Sequence, residues 1–208
     1  MSTAKAEHFV GVAEELVPVS GGEEAGTART EWAEELHVPT ATIVLRDGTQ
    51  LALVTMRPED AARLVRFHHR LSPETTYLRF FFFHPELGVE ELHRFTHLDH
   101  REREAIVATC EGEIVGVARF DRFGDGSSAE VAFVVADAFQ GRGLGSELLR
   151  HLAQRGRQVG VTRFVADALP HNARMLSVFR SAGLPIAEAF VDGVVHVTLD
   201  LEPDRNTS

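Results

Sequence analysis

VVADAFQGRGLGSELLRHLAQ, residues 134–154, decides how the rest of the chain is read. An apolar, β-branched run breaks into a glycine-rich turn, and a helical repeat of leucines follows at once. Glycines at 141, 143 and 145 remove Cβ atoms, so successive backbone N–H groups can turn toward one anion. A helix beginning near Gly143 adds the positive end of its dipole, and Arg142 offers a full charge. The stretch reads as a phosphate cradle.

Three nucleotide loops compete for it. A GxxxxGK[ST] loop needs a lysine that is absent here. A GxGxxG fingerprint needs a third glycine where Ser146 stands, and it belongs at the start of a βαβ unit. The pattern Q/R-x-x-G-x-G/A fits Gln140-Gly141-Arg142-Gly143-Leu144-Gly145 at every fixed position. A plain strand-to-helix turn would not need three spaced glycines behind a glutamine.

Outward from the loop, the chain has the length of one domain, 208 residues. Lys and Arg number 21 against 31 Asp and Glu, a formal charge of −10 with no basic stripe, which argues against nucleic acid as a partner. Cys110 stands alone, so no disulfide framework or CxxC metal cluster is available, and it is expected to be buried and inert. No apolar run approaches the roughly 20 residues of a membrane span. MSTAKAEHFVGVAEELVPV lacks the apolar core of a signal peptide. No membrane partner is expected, and the expected location is cytoplasmic.

Residues 1–40 mix glycine, alanine and glutamate and read as a flexible or loosely docked extension, with Trp32 and Leu36 able to pin a short helix. The folded domain is expected over 41–202, leaving a tail at 203–208. Hairpins are expected at Asp47-Gly48, Glu111-Gly112 and Asp192-Gly193. Helices are expected after Pro58, from Ser72 with Pro73 first, over GVEELHRFTHL, from about Gly143 to Val159, and over NARMLSVFRSAG. AEVAFVV is apolar enough for a central strand covered on both faces. The order is a meander of strands, then strand–helix–strand–helix–strand–strand, an α/β domain with a mixed sheet.

With the loop, Asn172 and the Gly183-Leu184 pair in view, residues 40–201 resemble the GNAT superfamily of acyl-CoA-dependent N-acyltransferases. LSPETTYLRFF followed by AEVAFVVADAFQGRGLG is similar, more narrowly, to the acetyltransferase domain of bacterial protein lysine acetyltransferases. The resemblance implies the GNAT fold: a mostly antiparallel mixed sheet, helices on both faces and a splayed central strand pair. It implies acetyl-CoA as cosubstrate and no metal. It places the pyrophosphate on Gln140, Gly141, Arg142, Gly143, Leu144, Gly145 and Ser146, and the pantetheine arm on the backbone of Phe133, Val134 and Val135. Asn172 matches a position that contacts the cofactor, although asparagine is also a favoured N-cap.

Acylating a lysine-type amine of pKa about 10.4 requires a proton acceptor. Glu130 is the one charged residue in AEVAFVV, sharing a face with Ala132 and Val134, and a carboxylate in a covered strand is costly unless it is partnered or useful. It aligns with the base glutamate of the resembled enzymes; a glutamate at a solvated strand start is the plainer reading. The resemblance gives the developing oxyanion to the Val135 N–H. Where many members carry a leaving-group tyrosine, this chain has Phe179; its only tyrosine, Tyr77, lies in another helix. Tyr77, Arg79 and Phe80 match a helix lining the acceptor side. Phe80 to Phe83 cannot all face one core, so some should line that groove or a homodimer contact. His93, His97 and His100 with Asp99, and His68-His69, are possible metal ligands by spacing, but no metal is expected. The expected function is acetyl-CoA-dependent acetylation of protein lysine. The alternatives are a small-molecule amine acceptor, or an acyl-CoA-binding module without turnover.

Overall fold

Three hairpins and two further strands build the sheet. The computed structural model describes residues 40–202, so the extension through residue 39, including the Trp32–Leu36 pair, and the tail from 203 lie outside the described residues. Strands β1 (Ala41–Val44) and β2 (Gln50–Thr55) pair across Asp47-Gly48. The turn is wider than a two-residue loop: the Leu45 N–H donates to the Thr49 carbonyl (2.8 Å), and Gly48 takes φ 86°. Strands β3 (Arg103–Cys110) and β4 (Glu113–Phe123) turn tightly at Glu111-Gly112, both left-handed at φ 50° and 80°. The last hairpin, β7 (Ile186–Val191) and β8 (Val194–Asp200), repeats that turn at Asp192-Gly193. Two positive-φ residues match the twist of the flanking strands.

Strands β5 (Ser128–Val135) and β6 (Arg163–Ala168) complete one eight-stranded sheet in the order β1-β2-β3-β4-β5-β6-β8-β7. All neighbours are antiparallel except β5 and β6. Among the described residues five α-helices cover it: α1 (Ala61–His69), α2 (Pro73–Phe80), α3 (Val89–Thr96), α4 (Leu144–Gln158) and α5 (Ala173–Arg180). The helices from α1 to α3 close one face over Met56, Leu64, Phe67, Phe95 and Val107. The other face is closed by α4 and α5 over Phe120, Leu148, Leu152, Phe164 and Phe179.

Gly156 sets how closely α4 sits on β6. A Cβ there would stand 3.0 Å from Cζ of the buried Phe164. Gly156→Ala is therefore expected to destabilise by about 1–3 kcal/mol despite its gain in helix propensity, as read by chemical denaturation.

The carboxylate that the sheet buries is Glu104 of β3, 2% exposed. It accepts from Arg155 Nε of α4 (2.9 Å), from the Ala105 N–H (3.0 Å) and from His100 Nδ1 (2.9 Å). His100, weighed as a metal ligand by spacing, is occupied in this way. His93 and His97 stack on each other at 3.7 Å. Among the described residues, no group of three or more His, Cys, Asp or Glu is placed to hold a metal ion, and no helix is long and apolar enough to cross a membrane.

Candidate active site

The parallel pair opens the sheet. β5 and β6 are in register only at Ser128–Glu130 with Arg163–Val165. Beyond these pairs β4 holds β5 as far as Val135, while β8 holds β6 as far as Ala168, so each strand follows its own partner and a gap opens between them. In the antiparallel ladder the Ala136 N–H donates to the Val115 carbonyl of β4 (2.9 Å). Alternation then turns Val134, opposite Val117, toward β4, and turns Phe133 and Val135 toward the gap. This corrects one expectation: the backbone N–H and C=O of Val134 are spent on β4 and do not face the gap.

The glycine loop closes one end of the gap. Gly141 (φ 72°) and Gly143 (φ 96°) both need the left-handed region, and Gly143 caps α4 with no side chain over the helix N-terminus. The N–H groups of Ser146 and Glu147 go to the Gly143 carbonyl (3.1 and 3.2 Å), which leaves the first-turn N–H groups of Leu144 and Gly145 without a helical acceptor. Gly145 also serves packing. It is helical, and a Cβ there would stand 3.2 Å from Val178, so its smallness lets α5 approach α4. Arg142 is not a free charge either: it pairs with Asp47 of the β1–β2 turn at 2.5 Å. The same turn brings Arg46 to the loop. Its N–H donates to the Arg142 carbonyl (3.2 Å), and its side chain lies 3.5 Å from where a Gly143 Cβ would be. Nothing in the local sequence near Arg46 signals this, because the contact spans almost a hundred residues.

Gln140 ties the loop to three elements at once. Its Nε2 donates to the Val135 carbonyl (3.0 Å) and to Thr75 Oγ1 of α2 (2.9 Å), and its Oε1 accepts from Arg174 of α5 (2.6 Å). Asp137, one turn earlier, accepts from the Ser72 N–H (2.9 Å), the Ser72 hydroxyl (2.7 Å) and the Thr75 hydroxyl (2.7 Å). Ser72 caps α2, so a single polar network fixes that helix start against the loop. Asp137 and Thr75 were missed from the sequence; the only signal was a serine ahead of Pro73.

Burial alone would raise the Asp137 pKa, but the hydrogen bonds from Ser72 and Thr75 outweigh it and hold the carboxyl below the usual range. A depressed acid contributes stability above its unfolded pKa of about 3.9 and loses it as pH falls through the lower folded value. Asp137→Asn should therefore remove an acid-sensitive step below pH ~4 from the unfolding profile. It should also weaken CoA affinity by about two- to tenfold, the worth of one or two hydrogen bonds, read by titration calorimetry.

Glu130 sits on the opposite face of β5 from Phe133, and it is exposed. The expectation that both faces of the strand are covered at this position is corrected: coverage reaches Ala129 and Val131 on one face but stops short of Glu130 on the other. Its cross-strand neighbour is Asp121, itself held by Arg119 at 2.7 Å.

Asn172 caps α5, its Oδ1 accepting from the Met175 N–H (3.1 Å). Phe179 is 1% exposed and meets Phe133 edge-on at 6.0 Å, a hydrocarbon contact with no proton to give. Tyr77 is exposed, Phe80 packs against the α1–α3 core, Phe81 is the left-handed cap of α2, and Phe82 and Phe83 are exposed. Cys110 is half-buried at the end of β3.

A family model described as "Acetyltransferase (GNAT) family" matches residues 73–184, more than half of the chain. The GNAT domain of PAT from S. lividans superposes with a TM-score of 0.74 at 42% identity, covering 77% of this chain and 96% of that one. An acetyltransferase of Pseudomonas aeruginosa is 33% identical over 120 residues, 56% of this chain and 64% of the relative. Acetyltransferase Pat of Mycolicibacterium smegmatis is 32% identical over 164 residues, 77% of this chain and 49% of the relative. The chain thus spans less than two thirds of the length of each of these two curated relatives.

Proposed function

The chain belongs to the GNAT acetyltransferase family, and from that premise we propose that it is an acetyl-CoA-dependent N-acetyltransferase whose acceptor is a lysine ε-amino group of a protein. The observation that carries the reading is the parting of β5 from β6 beside an uncapped helix N-terminus. The residues present suit acetyl-CoA. The gap edge offers the N–H and C=O of Phe133 and the N–H of Val135 to an amide-bearing arm, as one more strand would be met. The N–H groups of Leu144 and Gly145, the left-handed Gly141 and Gly143, and the nearby Arg46 suit a pyrophosphate. Ser146 opens the same helix turn, and Asn172 stands at the start of α5, joined to the loop through Arg174 and Gln140.

When bound, acetyl-CoA supplies an acetyl thioester; the amine nitrogen takes the acetyl group, and CoA leaves as the thiol. The Val135 N–H donates to the carbonyl oxygen as it gains charge. Glu130 takes the ammonium proton. Five residues of strand, roughly 16 Å, separate it from Val135, more than one water spans, so the proton travels along a chain of waters. With Phe179 inert, the thiolate leaves unassisted or takes its proton from water, as a pKa near 8.5 permits. The protein-lysine acceptor is supported by the likeness of Leu71–Phe81 and Ala129–Gly145 to bacterial protein lysine acetyltransferases.

Release of free CoA from acetyl-CoA, measured against lysine-containing proteins and small amines, tests the reading. Release that depends on a protein lysine supports it. Release with small amines alone replaces the acceptor class. One observation favours a second reading, a CoA-binding module without turnover: the buried, proton-free Phe179. Tight CoA binding with no release from any acceptor would select it.

A further inference from the structure

Beneath α2, on the Glu130 face of β5, lies a cavity walled by α1, α2, α3 and the sheet. Its lining is mostly hydrocarbon, including Met56, Leu64, Phe67, Phe95 and Val134. Two guanidiniums, Arg79 of α2 and Arg119 of β4, also line it, and they are not equivalent. Arg119 spends Nε and Nη2 on Asp121 at 2.7–3.0 Å and lies 4.4 Å from the Phe95 ring. Arg79 stands 4.8 Å from the Phe80 ring and makes no hydrogen bond or ion pair with any described residue. His68, also in the lining, is engaged with the His84 carbonyl at 2.9 Å.

Arg79 is half-buried, a cation held against apolar walls with no hydrogen-bond partner among the described residues, and burying a charge is costly unless it is paired. Burial first, and then the nearby Arg119, push the Arg79 pKa down to about 10, against the fields of Glu130, Asp121 and Glu91, so it stays charged at neutral pH. A single planar fork among apolar walls matches a carboxylate held through two parallel hydrogen bonds. A phosphate dianion would ask for more donors than one fork supplies, and beside it Arg119 holds Nε and Nη2 on Asp121 while His68 holds Nε2 on the His84 carbonyl.

We infer that this cavity binds a small apolar acid, its carboxylate on Arg79 and its hydrocarbon between Leu64, Phe67 and Val134. Glu130 stands one step along the same face from Ala132, which also lines the cavity, so an acid placed there abuts the acceptor side of the proposed reaction. Binding itself needs neither acetyl-CoA nor turnover.

The test is calorimetric titration of the full chain, without acetyl-CoA, by 4-methylpentanoate and by its neutral amide. The acid should bind and the amide should bind at least about tenfold more weakly, as loss of a charged hydrogen-bond pair requires. Arg79→Gln should lose the acid by a similar factor and Arg79→Lys should keep part of it. Because Arg79 is half-buried and pairs with no described residue, Arg79→Gln should leave Tm close to that of the parent. Equal binding of acid and amide, or binding of neither, overturns the inference. So does a lowered Tm in Arg79→Gln with acid binding unchanged, which would make Arg79 a structural partner of Glu130. A third arm measures acetylation of lysine peptides with and without a neighbouring acidic residue. Dependence on both that residue and Arg79, with no free acid bound, would assign the cation to a protein acceptor and overturn the small-acid site. Acid binding without any acetyl transfer would leave this inference standing and defeat the proposed function alone.

Discussion

Glu130→Gln is expected to lower acceptor-dependent acetyl transfer by about 10²–10⁴-fold, the usual worth of a positioned proton acceptor. CoA affinity should change by less than about twofold, because Glu130 lies on the face of β5 away from Phe133 and several residues from the loop. Glutamine keeps the size and polarity of the side chain and removes only its capacity to take a proton. The site is exposed, so folding should not suffer, and the variant separates chemistry from binding cleanly. Steady-state rates over pH 6–9, with CoA titrations alongside, check it. Equal loss of CoA affinity and rate would move Glu130 out of the catalytic role. An unchanged rate would leave a solvated strand-end glutamate and nothing more.

Glu104→Ala should have the largest effect on stability. It strips the acceptor from Arg155, from His100 and from the Ala105 N–H at a position 2% exposed. Breaking a buried pair by removing one partner costs about 3–5 kcal/mol; Arg155 is partly exposed and can turn to water, so about 3 kcal/mol is expected. For a chain of this size that lowers Tm by roughly 6–12 °C. Urea unfolding should show a lower midpoint with an unchanged slope. A change below about 1 kcal/mol, the worth of a surface pair, would mean that the pair does not hold α4 to β3.

These two glutamates show what was legible from the chain and what was not. Hairpins are local: Glu111-Gly112 and Asp192-Gly193 carry their turn geometry in two residues, and both stand where the sequence puts them. Ser72-Pro73 starts α2, and Asn172 caps α5, for the same reason. The glycine spacing marked the loop because positive φ at 141 and 143 is a property of single residues. Burial is not local. Glu130 sits in an apolar run yet is exposed, because its face of β5 is only partly covered, with Ser128, Ala132 and Val134 half-buried. Glu104 stands in the charged start of REREAIV, yet it is buried, because α4 crosses β3 and brings Arg155. The loop partners were hidden likewise: Arg46 and Thr75 reach it from residues 97 and 65 positions away from Gly143 and Gln140. Gly145 shares its spacing with Gly143 but serves helix packing, which only the contact with Val178 reveals.

The central claim is that the β5–β6 gap and the helix behind it hold the CoA moiety. Amide hydrogen exchange, resolved residue by residue by NMR with and without saturating CoA, tests it most directly. New protection is expected at Phe133, Val135, Leu144 and Gly145, and little change at Val134, whose N–H already faces β4. Protection of Val134 with Phe133 and Val135 unaffected, or protection confined to another face of the sheet, would contradict it.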